Sequence, residues 1–244
     1  MKQLALDIGL HTAPSLESFF SGPNSAPLEH LRLWTSSQMP SPVPTYLWGE
    51  SGSGKSHLLQ AVHSALLEKG VSVGCLDAQQ QDRLVFDESW GAVMMDDVHL
   101  YNLEQQQVAF NWFVNALTPK SGSPRWVLAA GMFPPADLKL RDDLRSRLGW
   151  GHVYALQVLS DTERRAVLRQ EADSRGLFLS DEVMSYMLSR FTRDLSSLMT
   201  LLDHLDQFAL QTQRAITIPL IKSCLLYTSP SPRDLSTSRM PSSA

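Results

Sequence analysis

Residues 49–56 read GESGSGKS, a spacing of glycine, lysine and serine that suits the binding of a phosphate chain. The glycines let the backbone curl until successive N–H groups face an anion. Lys55 supplies a mobile positive charge, and Ser56 offers a hydroxyl to a magnesium ion. An ordinary glycine-rich turn is the alternative. The predicted site comprises the loop and the start of the next segment: Gly49, Ser51, Gly52, Ser53, Gly54, Lys55, Ser56 and His57.

Two carboxylates, Asp96 and Asp97, follow the apolar run at 90–95. In an open parallel sheet, ligands bind beyond the carboxyl ends of the strands, so these acids are expected near the phosphates. Asp96 then suits Mg²⁺ binding together with Ser56, and Asp97 is a candidate base that polarises an attacking water. The alternative is a pair of helix-capping acids.

The segments around these motifs alternate between short apolar runs and longer runs of helical periodicity. Residues 45–48 read as a strand directly before the glycine-rich loop, and the residues after the loop read as a helix. The alternation continues over residues 45–157, which indicates a parallel sheet covered on both faces. We therefore predict an α/β phosphate-loop domain over residues 15–157.

Beyond this domain the strand pattern stops. Leucines at 195, 198, 202 and 205 form an apolar stripe at helical spacing, one of several in this part of the chain. The pattern predicts a small all-helical domain over residues 158–222. Residues 223–244 are rich in serine and proline and have no periodicity, so we expect them to be disordered or foreign to the native protein.

The composition is that of a globular protein, with 43% hydrophobic and 19% charged residues in a chain of 244. A formal net charge of -4 gives no electrostatic case for wrapping nucleic acid, so no direct sequence-specific DNA binding is expected. Two cysteines without metal spacing favour a reducing compartment. No run reaches membrane-spanning length and no signal peptide is recognisable, so we expect a cytoplasmic protein without membrane contact.

Residues 1–14 form a separate segment in which Leu4, Leu6 and Ile8 alternate with other residue types. A frayed terminus or an edge strand is one interpretation. A short extended peptide that docks its apolar side chains in a partner's groove is the other.

Three further motifs support a resemblance to a known family. The chain reads SFF at 18–20 with GPN at 22–24, RSRLGWG at 145–151, and RAITIP at 214–219. Together with the phosphate loop and the paired aspartates, these motifs resemble the DnaA/Hda family of AAA+ ATPases over residues 15–222. The resemblance implies an AAA+ domain followed by a helical lid domain, and binding of ADP or ATP with Mg²⁺.

The resemblance also implies a function and two partners. Some members are ADP-bound negative regulators of replication initiation, which act on a DNA-loaded sliding clamp, the β subunit of the polymerase. They stimulate ATP hydrolysis by the initiator DnaA through an arginine finger, here Arg147 by position. The segment containing Gln3, Leu4 and Leu6 resembles their clamp-binding peptide, which favours the docking interpretation of the amino terminus. Phe20 and Asn24 bound the segment expected to contact the nucleotide base.

The chain departs from the AAA+ pattern at two positions. A polar residue usually follows the fourth strand, where this chain has Gly131 and Met132. A lid arginine is expected near the third lid helix, where alignment gives Ser196, with Arg193 nearby in sequence. A pocket without both groups can hold a nucleotide but stabilises a hydrolytic transition state poorly, so weak or no hydrolysis is expected.

Two alternatives remain. A self-sufficient AAA+ ATPase, acting as a helicase loader or protein remodeller, is favoured by the retained Lys55 and Asp97. A DNA-binding initiator is disfavoured by the acidic balance and by the lack of a recognisable helix-turn-helix after the helical domain. The sequence leaves open which nucleotide is bound and whether the chain forms a homo-oligomer.

Overall fold

The computed structural model divides the chain into two units, one ending at Ser160 and the other beginning at Asp161. Each unit is described by itself. The described residues are 14–37, 39, 41, 43–79, 85–119, 122–190, 195–212 and 216–222.

The described residues of the first unit form five parallel strands and four α-helices, which confirms the predicted α/β class. The strands are β1 Thr45–Trp48, β2 Val73–Leu76, β3 Ala92–Met95, β4 Trp126–Gly131 and β5 His152–Ala155. The helices are α1 Ser25–Ser36, α2 Lys55–Glu68, α3 Leu103–Leu117 and α4 Asp142–Leu148, with short 3₁₀ turns at Gly22–Asn24, Val98–Leu100 and Pro135–Asp137.

The strand order is β2-β3-β4-β1-β5, and every pairing is parallel. The carboxyl ends of all five strands therefore meet at one edge of the sheet. β4 lies between β1, which leads into the glycine-rich loop, and β3, which leads into the two aspartates. This order brings together two motifs whose nearest residues, Ser56 and Asp96, are 40 positions apart in the sequence.

The central strands are buried on both faces, because their alternate side chains enter two separate cores. In β3, Ala92 and Met94 pack in one core with side chains of α1 and α2. Val93 and Met95 pack in the other core with side chains of α3 and α4. Period-two alternation of apolar residues on both faces is what a parallel sheet between two helical layers requires.

The second unit is helical, as predicted. It contains α5 Asp161–Ser174, α6 Asp181–Arg190 and α7 Leu195–Thr212, and residues 218–222 are also helical. Its core includes Leu168, Met184 and Leu202, all fully buried. Among the helices that the structure describes, none has the length and apolar character needed to cross a bilayer.

Candidate nucleotide-binding site

The glycine-rich loop connects β1 to α2, and two of its glycines are required by close contacts. A Cβ on Gly49 would lie 2.3 Å from the carbonyl oxygen of Leu156. Gly54 has a φ of +95°, and a Cβ there would lie 2.8 Å from Cε2 of Phe19. Glycine avoids the steric clash at both positions because it lacks Cβ. It also adopts the positive φ of position 54 without strain. The loop therefore keeps its curled backbone directly before the first turn of α2.

Lys55 is the first residue of α2, and its side chain turns back into the loop. Its Nζ donates to the carbonyl oxygens of Gly49 at 2.7 Å and Glu50 at 2.8 Å. Burial lowers the pKa of Lys55, and the carboxylates of Asp97 and Asp96 oppose that shift. The amine is thus desolvated at the loop, and it interacts electrostatically with the two carboxylates. A desolvated cation interacts with phosphate more strongly than one in bulk water.

Asp96 and Ser56 meet where β3 ends, as the sequence predicts. Their side chains are hydrogen-bonded, and Asp96 Oδ1 also accepts from the backbone N–H of Asp97 at 2.8 Å. Burial raises the pKa of Asp96 despite these hydrogen bonds, and the nearby acids Asp97 and Asp77 raise it further. A hydroxyl and a carboxylate are hard oxygen donors that fit Mg²⁺.

No group of three or more His, Cys, Asp or Glu side chains suited to a metal occurs in the described part of the chain. Mg²⁺ that accompanies a nucleotide is usually held by one or two protein groups, together with phosphate oxygens and water. Ser56 and Asp96 match that donor set.

Asp97 has the only positive φ of a non-glycine residue in the described ranges, at +48°. The left-handed turn points the backbone into the 3₁₀ turn Val98–Leu100 and leaves the carboxylate 41% exposed. Asp97 Oδ1 lies 3.9 Å from Nδ1 of His99. That nitrogen also accepts a hydrogen bond from the backbone N–H of Met132 at 3.3 Å. His99 was not among the predicted site residues, although its position two residues after a candidate base was a signal.

The surroundings of Gly131 explain why the end of β4 has no polar side chain. A Cβ at this position would lie 2.5 Å from the hydroxyl of Tyr46 and 3.0 Å from Cγ2 of Val98. The Tyr46 hydroxyl donates to the carbonyl of Phe133 at 2.7 Å, and burial raises its pKa. The carbonyl of Gly131 accepts from the N–H of Gly49 at 3.2 Å and so supports the phosphate loop. Tyr46 of the neighbouring strand β1 thus occupies the space that a side chain at position 131 would need.

The SFF and GPN motifs pack beside the loop. Asn24 is buried and exchanges two hydrogen bonds with the backbone of Gln157, at 2.9 Å and 2.8 Å. The Phe19 ring lies against Gly54, and its centroid is 5.5 Å from that of His57. Phe20 is half-buried. Asn24 therefore joins this segment to the residue that follows Leu156, and the contribution of Phe20 and Asn24 to base binding remains a prediction.

Three arginines at α4 differ in their partners. Arg141 pairs with Asp143 and Arg145 pairs with Asp142, each at 2.7 Å. Within the described residues, Arg147 has no carboxylate partner and its guanidinium makes no hydrogen bond. Its Cζ lies 5.1 Å from the centroid of the Phe110 ring and 6.0 Å from that of Phe113. The sequence predicted Arg147 but could not reveal this aromatic support.

The remaining predicted positions have less structural description. Gln3, Leu4, Leu6 and Arg193 lie outside the described residues, as do residues 223–244. Ser196 lies in the first turn of α7.

Solved structures of DnaA share this architecture. Domain III of the Thermotoga maritima replication initiation protein DnaA matches with a TM-score of 0.66 and 19% identity, over 87% of this chain and 95% of that chain. The AMPPCP-bound DnaA of Aquifex aeolicus matches with a TM-score of 0.63 and 21% identity, over 82% and 68%. These likenesses show that the chain has the fold of DnaA domain III.

The family follows from two sequence matches. A family model described as "Hda, lid domain" matches residues 161–225. An uncharacterized protein of Haemophilus influenzae (strain Rd) is 35% identical over 231 residues, which cover 92% of this chain and 98% of the relative. The chain belongs to the Hda family of DnaA-homologous AAA+ proteins.

Proposed function

We propose that this protein binds ADP and Mg²⁺ and, held on the sliding clamp, stimulates ATP hydrolysis by the initiator DnaA. Lys55 and the loop would hold the diphosphate, with Ser56 and Asp96 holding Mg²⁺. Arg147 would enter the ATP site of DnaA as an arginine finger. DnaA of Aquifex aeolicus, which has the same fold, is known bound to AMPPCP, and this supports a nucleotide as the ligand.

The observation that carries the proposal is the unpaired state of Arg147 among the described residues. Its neighbours Arg141 and Arg145 each have a carboxylate partner, so their charge is already compensated. A guanidinium without such a partner can neutralise the charge that develops on a phosphoryl group in a neighbouring molecule. Arginine suits this role better than lysine, because its planar fork matches phosphate oxygens.

The test is the ATPase activity of DnaA with the clamp loaded on DNA and this protein present. Arg147→Ala should lower the stimulated rate by at least about tenfold, because arginine fingers contribute roughly 10³–10⁵ in rate. Arg145→Ala is the matched control on the same helix and should retain stimulation. An unchanged rate with Arg147→Ala would refute the proposed function.

The clamp contact has its own test. Replacing Gln3 and Leu6 with alanine should abolish pull-down of the clamp and leave ADP affinity intact, since these residues are distant in sequence from the loop. Survival of clamp binding would show that another segment makes the contact.

The second candidate, a self-sufficient ATPase, is favoured by the geometry of Asp97. Its carboxylate is partly exposed, as a base that must reach a water molecule requires. Single-turnover hydrolysis of ATP by the isolated protein separates the two candidates. Rapid hydrolysis that Asp97→Asn abolishes would favour the enzyme.

A further inference from the structure

The face of α3 that meets α4 contains two residues in contact with the arginine-bearing helix. Gln106 and Phe110 are four residues apart, so they lie on the same face of α3. The start of α3 is fixed by a capping box, in which the side chains of Asn102 and Gln105 each accept the other's backbone N–H.

Gln106 holds the first turn of α4. Its Nε2 donates to the carbonyl of Tyr101 at 2.8 Å, and its Oε1 accepts from the backbone N–H of Arg141 at 3.0 Å. Arg141 is the N-cap residue of α4, and Gln106 is buried. A seven-residue helix is too short to be stable alone, so tertiary contacts of this kind determine its orientation.

Phe110 holds the guanidinium at the other end of α4. Its ring faces the Cζ of Arg147 at 5.1 Å and that of Arg141 at 5.8 Å. The planar guanidinium packs its flat surface against the ring, and this contact restrains it. The N–H donors at the edge of the guanidinium remain available.

Arg125 provides an internal comparison. Its Cζ lies 5.1 Å from the Phe86 ring, the same distance as in the Arg147–Phe110 pair. However, its N–H groups donate to the carbonyls of Trp90 and Asn115 and to Glu88. The same contact with a ring therefore occurs at Arg125, whose guanidinium nitrogens all donate hydrogen bonds within the unit, and at Arg147, whose N–H groups remain available.

We infer that Phe110 and Gln106 are positioning residues, which hold Arg147 in the orientation needed to reach a phosphoryl group in a partner. The inference rests on the proposed function. Gln106 fixes the helix and Phe110 fixes the side chain. Loss of either contact lets Arg147 occupy more positions, and a displacement of about 1 Å in such a group can lower a rate by roughly 10².

The test measures two quantities in the DnaA ATPase assay with loaded clamp: the maximal stimulated rate and the concentration of this protein that gives half of it. Phe110→Leu should lower the maximal rate by about two- to fivefold, the size of a partly exposed cation–π contact. The half-saturating concentration should change by less than about twofold, because the guanidinium is displaced rather than removed. Phe110→Tyr, which keeps the ring face, should restore the rate.

Phe86→Leu is the matched control. It removes a ring from under a structural arginine at the same distance and should leave the maximal rate unchanged. Gln106→Glu tests the second contact independently. The carboxylate still accepts from Arg141 but cannot donate to Tyr101, so the maximal rate should fall while ADP affinity is retained.

The outcomes separate the inference from the proposed function. If Arg147→Ala abolishes stimulation but Phe110→Leu and Gln106→Glu both stimulate like wild type, the positioning role is wrong and the proposed function stands. If Phe110→Leu lowers the rate and Phe110→Tyr does not restore it, the ring face is not the cause and the inference is also wrong. If Arg147→Ala itself retains stimulation, the proposed function fails first.

Discussion

Lys55 is a buried basic residue, and its amine lies within the loop that is proposed to bind a phosphate chain. The residue is only 7% exposed, and its amine donates to two loop carbonyls. Asp96 and Asp97 partly compensate the loss of hydration. A phosphate chain can add further compensation without extracting the amine from the loop.

Replacing Lys55 with methionine should weaken binding of ADP with Mg²⁺ by about 10- to 100-fold, because a hydrogen bond to a charged group contributes about 1.5–3 kcal/mol. Isothermal titration calorimetry measures this change. Lys69→Met is the matched control at the other end of α2, where the lysine donates to the carbonyl of Thr35. A similar loss in both variants would mean that Lys55 has no specific contact with the phosphates.

Asp96 should make the stability of the nucleotide-free protein depend on pH. Burial raises its pKa above the ordinary value of 3.8 in the folded chain. Its ionised form therefore opposes folding, and this effect grows as pH rises from 3.8 through the folded pKa. Asp96→Asn should raise the melting temperature near neutral pH, because the amide has no charge to desolvate on folding.

The difference between Asp96→Asn and wild type should shrink as pH falls toward 3.8, because the carboxyl becomes neutral in both states. Melting curves at several pH values, recorded without nucleotide, test this. The exposed Asp137 provides the control, and Asp137→Asn should leave the melting temperature near neutral pH unchanged. A destabilised Asp96→Asn variant near neutral pH would contradict the assigned burial effect.

At the scale of elements, the end of β4 is shaped by the strand beside it. Tyr46 of β1 places its hydroxyl where a side chain at position 131 would lie, and Val98 closes the other side. The glycine is thus a packing requirement of this sheet. A polar residue cannot be restored there without changing its neighbours.

Gly131→Ser should lower the free energy of unfolding by about 1–3 kcal/mol, the usual effect of overpacking a buried position. In the Tyr46→Phe background the same substitution should be less damaging, because the hydroxyl nearest to the new Cβ is gone. Urea denaturation of the four proteins in this double-mutant cycle gives the coupling between the two sites. Additive effects would show that the contact with Tyr46 is not what excludes a side chain.

At the scale of the whole molecule, the two units have separate cores. The α/β unit contains two cores on the two faces of its sheet, and the helical unit contains its own. All six tryptophans lie at or before position 150, within the α/β unit. Tryptophan fluorescence therefore reports on the nucleotide-binding unit, whereas circular dichroism reports on the helices of both.

Addition of ADP and Mg²⁺ should raise the unfolding midpoint detected by tryptophan fluorescence. Binding at 100 times the dissociation constant stabilises a folded protein by about 2.7 kcal/mol. The Lys55→Met variant should lose most of this shift at the same ADP concentration. If ADP leaves the fluorescence transition of the wild type in place, the loop does not bind this nucleotide under those conditions.

Local features were predictable from sequence because their causes are local. The alternation of apolar runs over residues 45–157 indicated the parallel sheet and its cover of helices on both faces. The phosphate loop was recognisable because its glycines, Lys55 and Ser56 occupy consecutive positions. The capping box at Asn102 and Gln105 was also readable in the sequence but was missed.

Contacts between distant segments could be decided only by the tertiary structure. Parallel pairing brought β3 beside β4 and β4 beside β1, and so placed Asp96 at the loop and Tyr46 against Gly131. Packing of α4 on α3 placed Phe110 under Arg147, across a separation of 37 positions. Sequence periodicity fixes which face of an element is buried, but not which side chain of another element meets it. The chain thus determined by itself that a phosphate loop, two acids and an arginine are present, and three-dimensional packing decided that this arginine is open while its neighbours are paired.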